Sequence, residues 1–213
     1  EQPENVTSLL FEDNASAYLT GLIAGRMTET NKVGFIGGME SPVISKFDYG
    51  FRAGVKAANP DAEVMVQYAN SFTDSALGKT IANQMHSKNA DIIFTCAGAV
   101  GIGAIEAAKE NGKKAIGVDQ DQNSLAPENV ITSAMKNIDV SVEEMLSKVV
   151  DGSYKGGEII VNTLAMNGVG IPQSSEKNVP PDVLTYVKEE AEKVKSGEVK
   201  VPATKEEFEQ LNK

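Results

Sequence analysis

The sequence predicts an α/β fold, a doubly wound and mostly parallel sheet of about five strands with helices on both faces. Short apolar runs at 33–37, 63–68, 91–96, 114–119 and 130–135 alternate with helical patterns at 42–58, 74–87 and 101–111. The run from Val33 to Ile36 is apolar at nearly every position, as expected of a parallel strand buried on both faces. Gly37-Gly38 follows it directly and turns the backbone at the strand's carboxyl end, the edge at which open α/β sheets hold their ligands.

Each element has its own local reason. Segment 14–29 reads as a helix capped by Asp13 or Asn14, with Ala17, Leu19, Leu22 and Ile23 on the side that packs on the sheet. Helix 42–58 carries an exposed-looking aromatic, Phe47, near its start, and Phe51 on the face it shares with Val55. His86 reads as a helix-surface residue and Cys96 as a small core residue at a strand end. Ala97-Gly98-Ala99 lets a ligand approach the backbone and the next helix's N-terminus. Asp119 and Lys136 end neighbouring strands at the same edge, and Asp121 is the natural cap of the turn QDQNS. Gly168–Gly170 reads as a turn or hinge. After Ile171 the polar, proline-rich stretch PQSSEKNVPP leads into a charged helix, 182–196, stopped by Gly197, and a short last helix follows Pro202.

Composition narrows the function classes. With 213 residues the chain can bury a substantial core. Thirty acidic against twenty basic residues give a net charge of −10, which disfavours nucleic acid as a partner. One cysteine excludes an internal disulfide and a cysteine-built metal site, and one histidine excludes a histidine ligand pair. GAVGIG is not GxGxxG and no P-loop lysine follows it, so no nucleotide cofactor is expected. No nucleophile stands beside a base and its orienting partner, which argues against an enzyme. The apolar runs fall short of the roughly 20 residues that span a bilayer.

Four blocks in order, ENVTSLLFEDNASAYLTGLIAG, GFIGGMESPVISKFDYGFRAGVKAANPD, IIFTCAGAVGIGAIEAA and AIGVDQDQNSLAPENVITSAMKNID, together resemble the basic membrane protein family. That family comprises nucleoside-binding lipoproteins of bacterial ABC importers with the ribose-type periplasmic binding protein fold. The resemblance implies a substrate-binding component that closes two lobes around a nucleoside, a purine nucleoside foremost, and delivers it to a membrane permease. It also implies an extracytoplasmic place, lipid-anchored or periplasmic. Family members carry a further N-terminal region that forms most of the first lobe. The expectation here is therefore a second lobe over 1–137, an orphaned first-lobe helix (140–151) and strand (158–162) within 138–165, and a return to the second lobe over 166–213. Glu1 to Val6 looks like the last strand before the crossing. Either the absent lobe or a partner chain is expected to cover the orphaned apolar faces.

The resemblance also implies a site. Phe47 would stack on the flat base, although a core position beside Phe51 competes for it. Asp119 would accept hydrogen bonds from a ribose hydroxyl pair, with a turn-cap role as its alternative, and Lys136 would neutralise Asp119 and donate to a ribose oxygen. Gly98 would bring backbone close to the ligand. Two other classes compete: the effector domain of a transcription regulator, distinguished by a helix-turn-helix that these residues lack, and a small α/β enzyme, distinguished by turnover.

Overall fold

In the computed structural model, which describes residues 3–211, the alternation read from the sequence becomes eight strands and seven α-helices. They run β1 (Ser8–Phe11), α1 (Asp13–Met27), β2 (Lys32–Gly37), α2 (Pro42–Ala58), β3 (Glu63–Tyr68), α3 (Ser75–Ser87), β4 (Ile92–Cys96) and α4 (Ala99–Glu110). Then come β5 (Lys114–Asp119), β6 (Val130–Lys136), α5 (Ile138–Val150), β7 (Ile159–Asn162), β8 (Val169–Gly170), α6 (Pro181–Lys195) and α7 (Lys205–Gln210). The main sheet has the order β3-β2-β4-β5-β6-β8, with β2 to β6 all parallel. Chain direction across the sheet reverses between β2 and β4, so the topological switch point lies where Gly37-Gly38 and Cys96-Ala97-Gly98 emerge. Gly38 N–H donates to the Cys96 carbonyl across it at 3.0 Å.

Start signals act where the sequence places them. Ser41 accepts the Ile44 amide ahead of Pro42, Asp74 accepts the Leu77 amide, and Thr204 with Glu207 forms a capping box. Helix α1 departs from expectation: it begins at Asp13 without a side-chain cap, and Asn14 instead donates to the Val201 carbonyl at 2.9 Å. Nor does it present one apolar side. Every residue from Asp13 to Gly25 is buried, because α1 lies between the sheet, α2 and α6. Its small residues Ala15, Ser16, Ala17, Gly21 and Ala24 make that fit possible.

The core on the α1–α2 face centres on Phe94, whose ring meets those of Phe35, Phe51 and Phe47 at centroid distances of 5.6, 5.2 and 6.2 Å. The opposite face packs Ile36, Ile93, Ile81, Met85 and Val100 under α3 and α4. Three strand-level expectations change. The first strand is Ser8–Phe11, later than Glu1 to Val6, of which Glu1 and Gln2 lie outside the described residues. It pairs in parallel with β7 alone, as a separate two-stranded sheet. Gly168–Gly170 is not a free turn: Val169 and Gly170 add a short antiparallel strand beside Lys136 and Met135. Helix α5 buries only Ser141, and Ile138, Val142, Leu146, Val149 and Val150 stand exposed with Leu10, Ile159 and Val161 of the small sheet. No helix among the described residues is long and apolar enough to cross a membrane.

The histidine is not on the surface. His86 is buried, its Nδ1 sits 2.9 Å from the Ala90 carbonyl, and its Nε2 has no hydrogen-bond partner. The carbonyl makes Nδ1–H the donor and leaves Nε2 bare. Burial holds the imidazole below its ordinary pKa, so the unfolded chain takes up the proton first as pH falls. The contribution of His86 is complete above about pH 6.5 and is lost below it, by at most about 1.4 kcal/mol per pH unit. Since the chain has one histidine, His86→Gln is expected to flatten that part of the profile in urea melts between about pH 5 and 7. Parallel profiles for the two proteins would contradict it.

Candidate functional site

The carboxyl ends of β4, β5 and β6 open into a cleft of about 470 Å³ lined by Thr95, Gly98, Ile102, Val118, Asp119, Gln122, Lys136 and Asp139, among others. Three of the four residues singled out from sequence, Gly98, Asp119 and Lys136, meet here. Gly98 precedes α4 with φ +57°, and a Cβ there would lie 2.8 Å from the Phe72 carbonyl oxygen. Asp119 also has a left-handed backbone, φ +64°. Its side chain is 57% exposed, and the capping role falls to Asp121, whose Oδ1 accepts the Asn123 amide at 3.0 Å. Gln122 stiffens the same turn, accepting the Val118 amide at 2.9 Å and donating its own amide to Ser133 Oγ at 3.1 Å.

Lys136 occupies the centre. Its Nζ lies 3.4 Å from Asp119 Oδ1 and 3.2 Å from Asp13 Oδ1, and 5.4 and 5.6 Å from the ring centroids of Phe47 and Phe11. Burial works against the ammonium, yet Asp13 and Asp119 outweigh it and hold Lys136 above the usual lysine pKa. Burial pushes the Asp13 carboxyl up, and Lys136 offsets part of that rise. The Asp13–Lys136 contact is an ion pair, and no other group donates to Asp13 Oδ1.

Phe47 corrects the impression of an exposed aromatic. It is 2% exposed, packed edge-on against Phe94, and borders the site only as a ring beneath the Lys136 ammonium. Helical spacing had left this open, since Phe47 stands four residues before Phe51 on one face of α2, and both turn inward. The exposed aromatic at this edge is Phe72, which sequence reasoning passed over. It is 39% exposed, a Cβ on Gly38 would strike its ring, and its carbonyl accepts the Ala99 amide at 2.8 Å. The signal was an aromatic standing in the polar turn NSFTD between β3 and the Asp74 cap. Asp13, read as a cap, is the other residue missed.

The arrangement offers a carboxylate acceptor and an ammonium donor side by side, with a bare glycine edge and an exposed ring close by. That combination suits a polyol with a flat appendage. The Cys96 thiol is buried and pushed far up by burial, and His86 sits towards the opposite edge of the sheet. Among the described residues no group of His, Cys, Asp and Glu could hold a metal.

A doubly wound sheet with polar groups gathered beside its switch point is the architecture of an α/β domain of the periplasmic binding protein type. The family model for the ABC transporter substrate-binding protein PnrA-like (Bmp) family matches residues 1–205, and the chain belongs to that family. It is 41% identical to the CD4+ T-cell-stimulating antigen of Listeria monocytogenes, over 93% of this chain and 60% of that protein. It is 38% identical to the ABC transporter nucleoside-binding protein BmpA of Lactococcus lactis, over 94% of this chain and 61% of that protein. Among solved structures, an ABC transporter solute-binding protein from Aeropyrum pernix superimposes with a TM-score of 0.87 at 27% identity, over 100% of this chain and 71% of that one. The chain thus spans about 60% of the length of these curated relatives.

Proposed function

We propose that this chain supplies one wall of a nucleoside-binding cleft in the extracytoplasmic substrate-binding component of an ABC importer, acting by binding and not by turnover. The observation that carries the reading is the convergence of Gly98, Asp119 and Lys136 on one cleft at the carboxyl edge of the sheet. Asp119 would accept from the ribose hydroxyl pair and Lys136, paired with Asp13 and Asp119, would donate an N–H to a ribose oxygen, since an ammonium has three donors. Phe72 is the better candidate for stacking on a purine or pyrimidine, and Phe47 serves as the floor under Lys136. The relative named as nucleoside-binding supports the choice of ligand class.

The open cleft is half a site. The chain from α1 to 137 and from 166 onward is read as the second lobe, and β1 with 138–165 as first-lobe elements, because β1 pairs only with β7. The second wall is assigned to the part of the relatives' length that this chain does not span, which would also cover the apolar faces of α5 and β7. Closure of the lobes would then present the loaded protein to its permease. The reading is tested by calorimetry with purine and pyrimidine nucleosides and with ribose, on a protein of the relatives' full length. Asp119→Ala and Phe72→Ala are each expected to weaken binding about tenfold or more. Unchanged affinity in both variants would remove the site assignment, and no nucleoside heat in the parent protein would favour a sensor of another ligand.

A further inference from the structure

We propose that Asp13 is a positioning and specificity-determining residue of this cleft: it holds the Lys136 ammonium back and leaves the site with surplus negative charge, so that phosphorylated ligands are turned away and uncharged polyols admitted. The identity of the admitted ligand rests on the nucleoside reading above. The hold on Lys136 stands without it.

Asp13 is the first residue of α1, where the helix dipole favours a carboxylate, and it is only 4% exposed. Its Oδ1 has no donor other than Lys136 Nζ, at 3.2 Å, so its charge is satisfied chiefly by that ammonium, with Lys46 as a more distant aid. A lysine wedged between two carboxylates and flanked by the Phe11 and Phe47 rings has little freedom to swing into the cavity.

Charge then decides what enters. Lys136 is the one cation among the described residues lining the cleft, against Asp119 and Asp139 in the lining and Asp13 beneath it. A phosphate monoester carries about −1.5 to −2 at neutral pH and meets that surplus at close range. Helix α4 starts at the cleft and could offset it, since helix N-termini attract anions. Here the Ala99 amide is already spent on the Phe72 carbonyl, and the Gly101 and Ile102 amides on the Gly98 carbonyl. Removing the Asp13 charge should therefore convert Lys136 from a neutralised group into an anion acceptor.

The test follows the Lys136 Cε resonance in the 213-residue chain grown on ε-carbon-13 lysine, assigned by its loss in Lys136→Met. In Asp13→Asn the Lys136 titration midpoint is expected to fall below that of the parent, because one of its two anionic neighbours is gone. Inorganic phosphate is expected to shift the resonance at about a tenfold lower concentration than in the parent, and Asp13→Glu should restore both readouts in part. An Asp13→Asn chain with the parental midpoint and phosphate response overturns the proposal. Should that variant not fold, Asp119→Asn at an exposed side chain decides: with Asp13 alone the Lys136 midpoint should stay above an ordinary lysine's, and a fall to the ordinary value overturns the hold. A chain that passes these tests yet binds no nucleoside at full length refutes the ligand reading and leaves the role of Asp13 standing.

Discussion

Phe94→Ala is expected to lower the unfolding free energy by about 3–5 kcal/mol, the range for deleting a fully buried aromatic. The Phe94 side chain has no solvent exposure and is the ring against which Phe35, Phe47 and Phe51 all pack. Those neighbours sit on a strand and on a helix anchored by further contacts, so the void cannot collapse freely and the upper part of the range applies. Phe94→Leu, which keeps most of the volume, should cost less than about 1.5 kcal/mol. The damage reaches the cleft as well: Phe47 leans on Phe94, and Lys136 lies over Phe47. Urea melts of the two variants check this, and a loss under about 1 kcal/mol in Phe94→Ala would show that the aromatic cluster is not the centre of this core.

The second large effect reverses a general preference. Replacing a mid-helix glycine by alanine ordinarily stabilises a helix by about 0.5–1 kcal/mol. Gly54→Ala in α2 is expected instead to destabilise by about 2–3 kcal/mol, because overpacking outweighs propensity. The added Cβ would collide with the Tyr18 carbonyl oxygen and lie 3.0 Å from the Leu22 nitrogen, both backbone atoms of α1 that cannot rotate away. Gly21 on α1 makes the reciprocal approach to the Phe51 carbonyl, so the two helices cross backbone to backbone. Relief requires α1 to move, and α1 carries Asp13 at its start. Thermal melts read the loss of stability, and a Gly54→Ala chain more stable than the parent would show that the helices can separate at little cost.

How much of this was legible beforehand follows from the range of the forces involved. The five parallel strands β2 to β6 and their helices were readable because burial on both faces writes continuous apolar runs such as Val33–Ile36, and because Ser41, Pro42 and Asp74 mark helix starts locally. Asp119 and Lys136 were readable since strand ends in such a sheet share one edge. The burial of Phe47 was left open and His86 was placed on the surface for a common reason: each has polar neighbours in sequence, and only the packing of a distant strand or loop decides which way the side chain turns. Asp13 was invisible as a candidate because its partner, Lys136, lies more than a hundred positions away. Helix α1 misled in a third way, since a helix enclosed on every side has no amphipathic stripe to read.

The left-handed backbone at Asp119 limits how the cleft can be rebuilt. At φ +64° a side chain is tolerated readily only for Asn or Asp, with Gly as the unstrained alternative. Of those, Asp alone brings charge, so conformation and chemistry converge on the same residue. Any change to the charge of the cleft at position 119 therefore has almost no repertoire to draw on. The adjustable positions are those in regular helical backbone, Asp13 and Asp139, where the main chain imposes no such restriction.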